Sequence, residues 1–186
     1  MLRTFASVAA LALMTAMAHA QTSETEPPPA PARLRLLVGP QIGVFHPASA
    51  RARTLFGDNW FNFGIGLGPV VPPKKTGQID FDLNILASRP RGARAVLAPI
   101  GIGYRRSLQP QGANVTYVGV SANALVTSLQ SDADGIRRGF RVGYGGSLYS
   151  GVTFGQRAYL EARFYQFTKV RGLDLSGAAL SAGLRF

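Results

Sequence analysis

Seven ionisable residues on one side of alternating segments, Arg35, Asp80, Asp82, Arg105, Arg141, Glu161 and Arg163, are the first candidates for chemistry in this chain, with Arg185 on the same side near its end. Confined to a narrow interior they would pair across it, because an unpaired buried charge is costly. The paired set would then plug the space. An unpaired, arginine-rich constriction would instead pass ions and favour anions. Asp80 and Asp82 project to the same side, but the arginines around them make a neutralised pair rather than an acid/base dyad. His46 is the second candidate. It is the only histidine after the first twenty residues, precedes Pro47 and lies near Ser49. With no cysteine and scattered carboxylates, no metal site is expected, and no cofactor.

The elements that must position these residues begin after a leader. "MLR" gives a positive start, "TFASVAALALMTAM" an apolar run, and Ala18-His19-Ala20 a small-x-small cleavage signal. The run of about 14 residues is shorter than the roughly 17 that a spanning helix needs, so residues 1–20 are expected to be an export signal cut after Ala20. Residues 21–32, "QTSETEPPPAPA", are Pro-rich and read as a disordered or extended leader. Residues 33–186 form the folded domain. Loss of Arg3 with the signal leaves 19 basic against 9 acidic residues. Nucleic acid is not expected as the partner of an exported chain without an aromatic-basic binding motif; an anionic, phosphorylated lipid surface suits the charge better.

From residue 33 onward the pattern alternates with period two, the signature of half-buried strands. Eight segments carry it: "RLRLLVGPQIGVF", "FNFGIGLG", "IDFDLNI", "AVLAPIGIGYRR", "NVTYVGVSANALV", "GFRVGYGGSLYSGVTF", "RAYLEARFYQF" and "LSGAALSAGLRF". The third is the cleanest, with Ile79, Phe81, Leu83 and Ile85 opposite Asp80, Asp82 and Asn84. In the fourth, Pro99 lacks a ladder donor, which predicts a bulge. "ASARARTLF" has the composition for a turn of helix within a loop. Odd-numbered connections, at 45–60, 88–94, 130–138 and 169–174, read as longer than the even ones, which fits a barrel inserted across a membrane. In or beside the odd set fall Arg51, Arg53, Arg89, Arg91, Arg94, Arg137, Arg138, Lys169 and Arg171, suited to bidentate phosphate contacts.

Alternation does not say which face is inside. A soluble, lipocalin-like barrel would point its greasy residues inward. An eight-stranded bore, however, is only wide enough to be filled by side chains, and here one face carries Phe, Leu, Ile and Val on nearly every strand. The other is mostly Gly, Ser, Asn and a few charges. Small residues inside and bulky ones outside fit the bore, and closure then satisfies every backbone group in lipid. The expected class is all-β, an eight-stranded antiparallel transmembrane β-barrel with up-and-down meander order.

With its signal peptide, eight amphipathic strands and a last strand "LSGAALSAGLRF" ending in an aromatic residue, the chain resembles the small bacterial outer-membrane barrels of the OmpA/OmpX/OmpW-like group. The resemblance implies a location in the outer membrane and a final strand read by the outer-membrane assembly machinery through Leu180, Leu184 and Phe186. Leu184 stands where family barrels often carry an aromatic. For activity the resemblance says little, since the group spans anchors, adhesion factors, small-solute conduits and lipid-modifying enzymes. Known outer-membrane lipid acyltransferases and deacylases use a His with a Ser and an acidic partner near the outer rim; by that resemblance Ser131 and Asp132 could partner His46, but nothing in the spacing demands it and no His-x-Ser motif resembling the deacylase is present. The expected function is a non-enzymatic, monomeric integral barrel with a structural or surface-interaction role, basic external loops and lipopolysaccharide as neighbour. The alternatives are a lipid A-modifying enzyme centred on His46 and a small-solute channel.

Overall fold

A computed structural model of the chain describes residues 36–69, 77–108, 114–155 and 157–184. The cleavage signal at Ala18 and Ala20, the leader at 21–32, and Arg35, Arg185 and Phe186 lie outside these residues. The elements are β1 (Leu36–Pro47), α1 (Ala50–Phe56), β2 (Trp60–Pro69), β3 (Gly77–Ser88), β4 (Ala93–Ser107), β5 (Asn114–Ser131), β6 (Ile136–Phe154), β7 (Ala158–Phe167) and β8 (Gly177–Leu184). Each strand pairs with its sequence neighbours, all antiparallel, and β1 pairs with β8 to close the barrel.

The side chains follow the period-two pattern. Val38, Ile42 and Val44 on β1, Phe61, Phe63 and Ile65 on β2, and Ile79, Phe81, Leu83 and Ile85 on β3 are exposed on the outer wall. Gln41, Asn62, Asn84, Ser121, Asn123, Ser147 and Ser181 are buried inside. The bulky set therefore faces out, as the volume of the bore requires.

Three details differ from the sequence expectation. Pro99 breaks the β3–β4 ladder between Leu83↔Ile100 and Leu86↔Leu97, but the register is the same on both sides. The ring simply leaves one donor missing, and no residue is inserted. The register shift lies between Leu129 and Ser131 on β5 instead. The odd connections are also not uniformly long. β3–β4 turns at 89–92 and β5–β6 at 132–135, because β5 and β6 run on for 18 and 19 residues and absorb positions that look like loop. The first odd connection does hold a helix, α1, capped by the Ser49 side chain and ended at Gly57 with φ 88°.

The closing seam depends on Gly43, which lies opposite Ser181. A Cβ there would be driven into the carbonyl oxygen of Leu180. Gly43→Ala should destabilise the barrel by about 1–3 kcal/mol, read as a lower urea midpoint of the refolded protein. An unchanged midpoint would mean the β1–β8 seam yields freely.

Candidate functional site

The alternation that builds the wall aims Asp80 and Asp82 of β3, Arg105 of β4, and Glu161 and Arg163 of β7 into the bore, and the structure brings these five together. Arg163 is the hub. Its Nε and Nη2 each lie 2.9 Å from Glu161 Oε1, and its Nη1 donates to Asp82 Oδ2. Because β7 and β3 are opposite strands of an eight-membered ring, the Arg163–Asp82 pair crosses the bore. Arg105 Nε stands 3.9 Å from Asp80.

Tyrosines complete the network. The Tyr149 hydroxyl is 2.9 and 3.0 Å from the two Asp80 oxygens, and the Tyr117 hydroxyl donates to Glu161 Oε2 at 3.0 Å. Asn84 Nδ2 donates to Asp82 at 3.0 Å and Tyr159 to Gln41 at 2.9 Å. The guanidinium of Arg163 lies 4.2 Å from the Tyr149 ring centre, and that of Arg105 4.9 Å from Tyr117. Three carboxylates thus meet two guanidiniums among the described residues, with hydroxyls on both Asp80 oxygens and on Glu161 Oε2 and a second donor on Asp82 Oδ2, the condition under which buried charge is tolerated. Arg141 does not join them. It shares their side of the sheet, but the extension of β6 lifts it beyond the bore, where it is exposed and donates to the Phe140 carbonyl.

Toward the odd connections the inner face changes character. Phe45, Trp60, Leu86, Leu97, Leu125 and Leu129 point inward, and α1 (Ala52, Phe56) and the β7–β8 connection (Val170, Leu173, Leu175) fold down onto them as an apolar plug. Trp60 meets Phe45 and Phe56 edge-on at 5.5 and 5.9 Å. Ala48 N–H donates to Ser176 O at 2.8 Å and Ser88 Oγ to Phe56 O at 2.5 Å, tying the lid to the rim.

His46 is exposed on the outer side of β1, with Nδ1 3.4 Å from Asn59 Oδ1. Ser131 is buried on the inner side of β5, and Asp132 is exposed in the next turn. Ser49 is spent capping α1. His46 contacts none of these three, so the residues that could form an acyl-transfer set are not brought together.

The nine basic candidates all lie at the odd-connection end, and they divide. Arg51 pairs with Asp134 at 2.8 Å, linking the first and third odd connections. Arg53 donates to Pro47 O and Ala48 O at 2.9 and 2.7 Å and stands 3.6 Å from Asp58. Arg171, with φ 53°, donates to Arg137 O at 2.6 Å. These three hold the end together. The side chains of Arg89, Arg91, Arg94, Arg137, Arg138 and Lys169 are exposed and make no hydrogen bond or ion pair with the described residues.

No protein-family model and no curated protein sequence matches the chain. Among solved structures it is similar to Neisserial surface protein A, with a TM-score of 0.64, 17% identity, and coverage of 81% of this chain and 95% of that one. It is also similar to Ail, the attachment invasion locus protein of Yersinia pestis, with a TM-score of 0.50, 11% identity, and coverage of 81% and 96%. The chain has the fold of the small eight-stranded outer-membrane barrels.

Within that fold, sequence reasoning missed the plug and undervalued the tyrosines. Both left a signal. Apolar residues stand side by side at Val44-Phe45, Ile85-Leu86, Val96-Leu97 and Leu125-Val126, which marks places where both faces of the wall are apolar. Tyr149 and Tyr159 fall on the inner parity of β6 and β7. Leu180 and Leu184, proposed for the assembly signal, are exposed on the outer side of β8.

Proposed function

We propose that the protein is an integral outer-membrane barrel without enzymatic activity, closed to solutes, which serves as a structural or surface-interaction element with a basic external face. One observation carries this reading: the outer wall of all eight strands is lined by exposed large apolar side chains, from Val38 and Ile42 on β1 to Leu180 and Leu184 on β8. In water such a surface drives association. In lipid it is the required exterior, and the closed sheet leaves no strand edge to satisfy along the span.

The odd connections face outward in this reading. β1 starts and β8 ends at the other end of the barrel, so insertion by hairpins would carry the odd connections across the membrane. The charge network and the apolar plug close the bore in series, which disfavours a conduit. The separation of His46 from Ser131 and Asp132 disfavours acyl-transfer chemistry. The assembly machinery would read the outer side of β8, and the unpaired arginines would meet the phosphates of lipopolysaccharide or another anionic lipid.

Cell fractionation with gel mobility before and after heating tests the location. The protein should sediment with the outer membrane and shift its mobility on heating. Recovery from the soluble periplasm with a single mobility would overturn the reading.

A further inference from the structure

We propose that Arg94 and Arg138 form a clamp on the outer wall of the barrel for the phosphate of an anionic lipid in the outer leaflet, a site that rests on the membrane reading above and sharpens it. The nine basic residues at this end are not equivalent, and alternation separates them. Ala95 and Leu97 of β4 are fully buried, so Arg94 shares the outward side with Val96 and Ile100. On β6, Phe140, Val142 and Tyr144 are 71%, 78% and 72% exposed, and Arg138 continues that outward row.

Between them lies Gln130 of β5, opposite Arg94. The pairing moves from Leu129↔Gly139 to Ser131↔Ile136, so Arg137 and Arg138 both fall beside Gln130 at the irregularity; Arg138 keeps the outward parity of Phe140, while the Arg137 carbonyl is held by Arg171. The two arginines therefore flank a single strand at the same height, with backbones about 10 Å apart for two inter-strand spacings. That gap is short enough for two long side chains to converge on one phosphate, each with a planar fork of donors.

The wall below the clamp fits the rest of such a lipid. Below Gln130 the outward residues of β5 run Ser128, Val126, Ala124 and Ala122, flanked by Val96, Ala98, Ile100 and Ile102 on β4 and by Phe140, Val142 and Tyr144 on β6. The result is an apolar wall running from the clamp into the belt, lowest at Ser128 and Ala124, suited to contact with an acyl chain. Among the described residues no ion pair joins the nearby carboxylates to the clamp: Asp134 is held by Arg51, and Asp132 Oδ2 lies beside Gly92. Arg89 and Arg91 sit in the β3–β4 turn, beyond the strands that form this wall.

The test uses the full mature protein in nanodiscs of phosphatidylcholine doped with phosphatidic acid, with co-purifying lipid counted by native mass spectrometry. Insertion is verified first by heat-modified mobility, so failure of the membrane reading appears as failure to insert. Wild type should enrich phosphatidic acid about ten-fold or more, as expected for two charge-assisted contacts. Arg94→Gln with Arg138→Gln should abolish the enrichment, and Arg89→Gln with Arg91→Gln should retain it. Enrichment that survives the first pair overturns the clamp. If the second pair removes that enrichment, the lipid site belongs to the turn and the basic-face reading stands; if neither does, both fall. Displacement of the lipid by millimolar inorganic phosphate would assign the site to the free anion and also overturn it.

Discussion

Arg163→Met should destabilise the barrel by about 3–5 kcal/mol, the loss typical when one partner of a buried ion pair is removed. Equilibrium urea unfolding in lipid vesicles would read it. The size follows from what Arg163 holds. Its guanidinium serves Glu161 and Asp82 together and lies against Tyr149. Methionine fills part of the volume but leaves two carboxylates facing each other in a bore too narrow to hydrate them fully. The effect should therefore be electrostatic, and a rescue tests that. Adding Asp82→Asn and Glu161→Gln to Arg163→Met should recover most of the stability, since neutralising all partners removes the orphaned charge. If the triple variant is as unstable as the single, packing around Arg163 is what matters and the network is secondary.

Trp60→Ala should lose a comparable amount, about 3–5 kcal/mol, with a different signature. Trp60 is 1% exposed, packs edge-on against Phe45 and Phe56, and donates its indole N–H to Gly57 O at 2.8 Å. Its removal opens a cavity beneath α1 and frees the lid, so limited proteolysis should cut within residues 48–59 while the strands remain protected. The neighbouring Phe61→Ala supplies the control. Phe61 is on the outer wall, where lipid replaces the lost contacts, so its loss of stability should be much smaller. Equal losses at the two positions would remove the distinction between plug and belt.

The strands and their faces were legible because a period of two, once set, fixes the side of every residue along a strand. Gln41, Asn62, Asp80 and Glu161 could be placed inside before any geometry was known. The closing strand was legible for the same reason, and it pairs with β1 through Gln41–Pro47. Alternation says nothing of height along the barrel. Arg141 has the inner parity but stands above the bore, because β5 and β6 extend past their neighbours. Loop lengths misled for the same cause. The plug was hidden because its residues adjoin outward apolar ones, as in Ile85-Leu86, so an inner and an outer apolar face merge into one greasy run. The pairing of Arg163 with Asp82 depends on which strands end up opposite, which only closure decides. The division of the basic residues needed parity and register together: Arg94 and Arg138 look like any other loop arginine until Ala95 and Phe140 show which way the strand is turned.

The central claim, a membrane barrel closed by a charge network and an apolar plug, is tested most directly by planar-bilayer recording of the purified protein. A barrel closed in this way leaves the bilayer quiet, with no steady unitary openings from wild type across the usual voltage range. Reproducible single-channel steps from correctly folded, heat-modifiable protein would contradict it and make the bore a conduit.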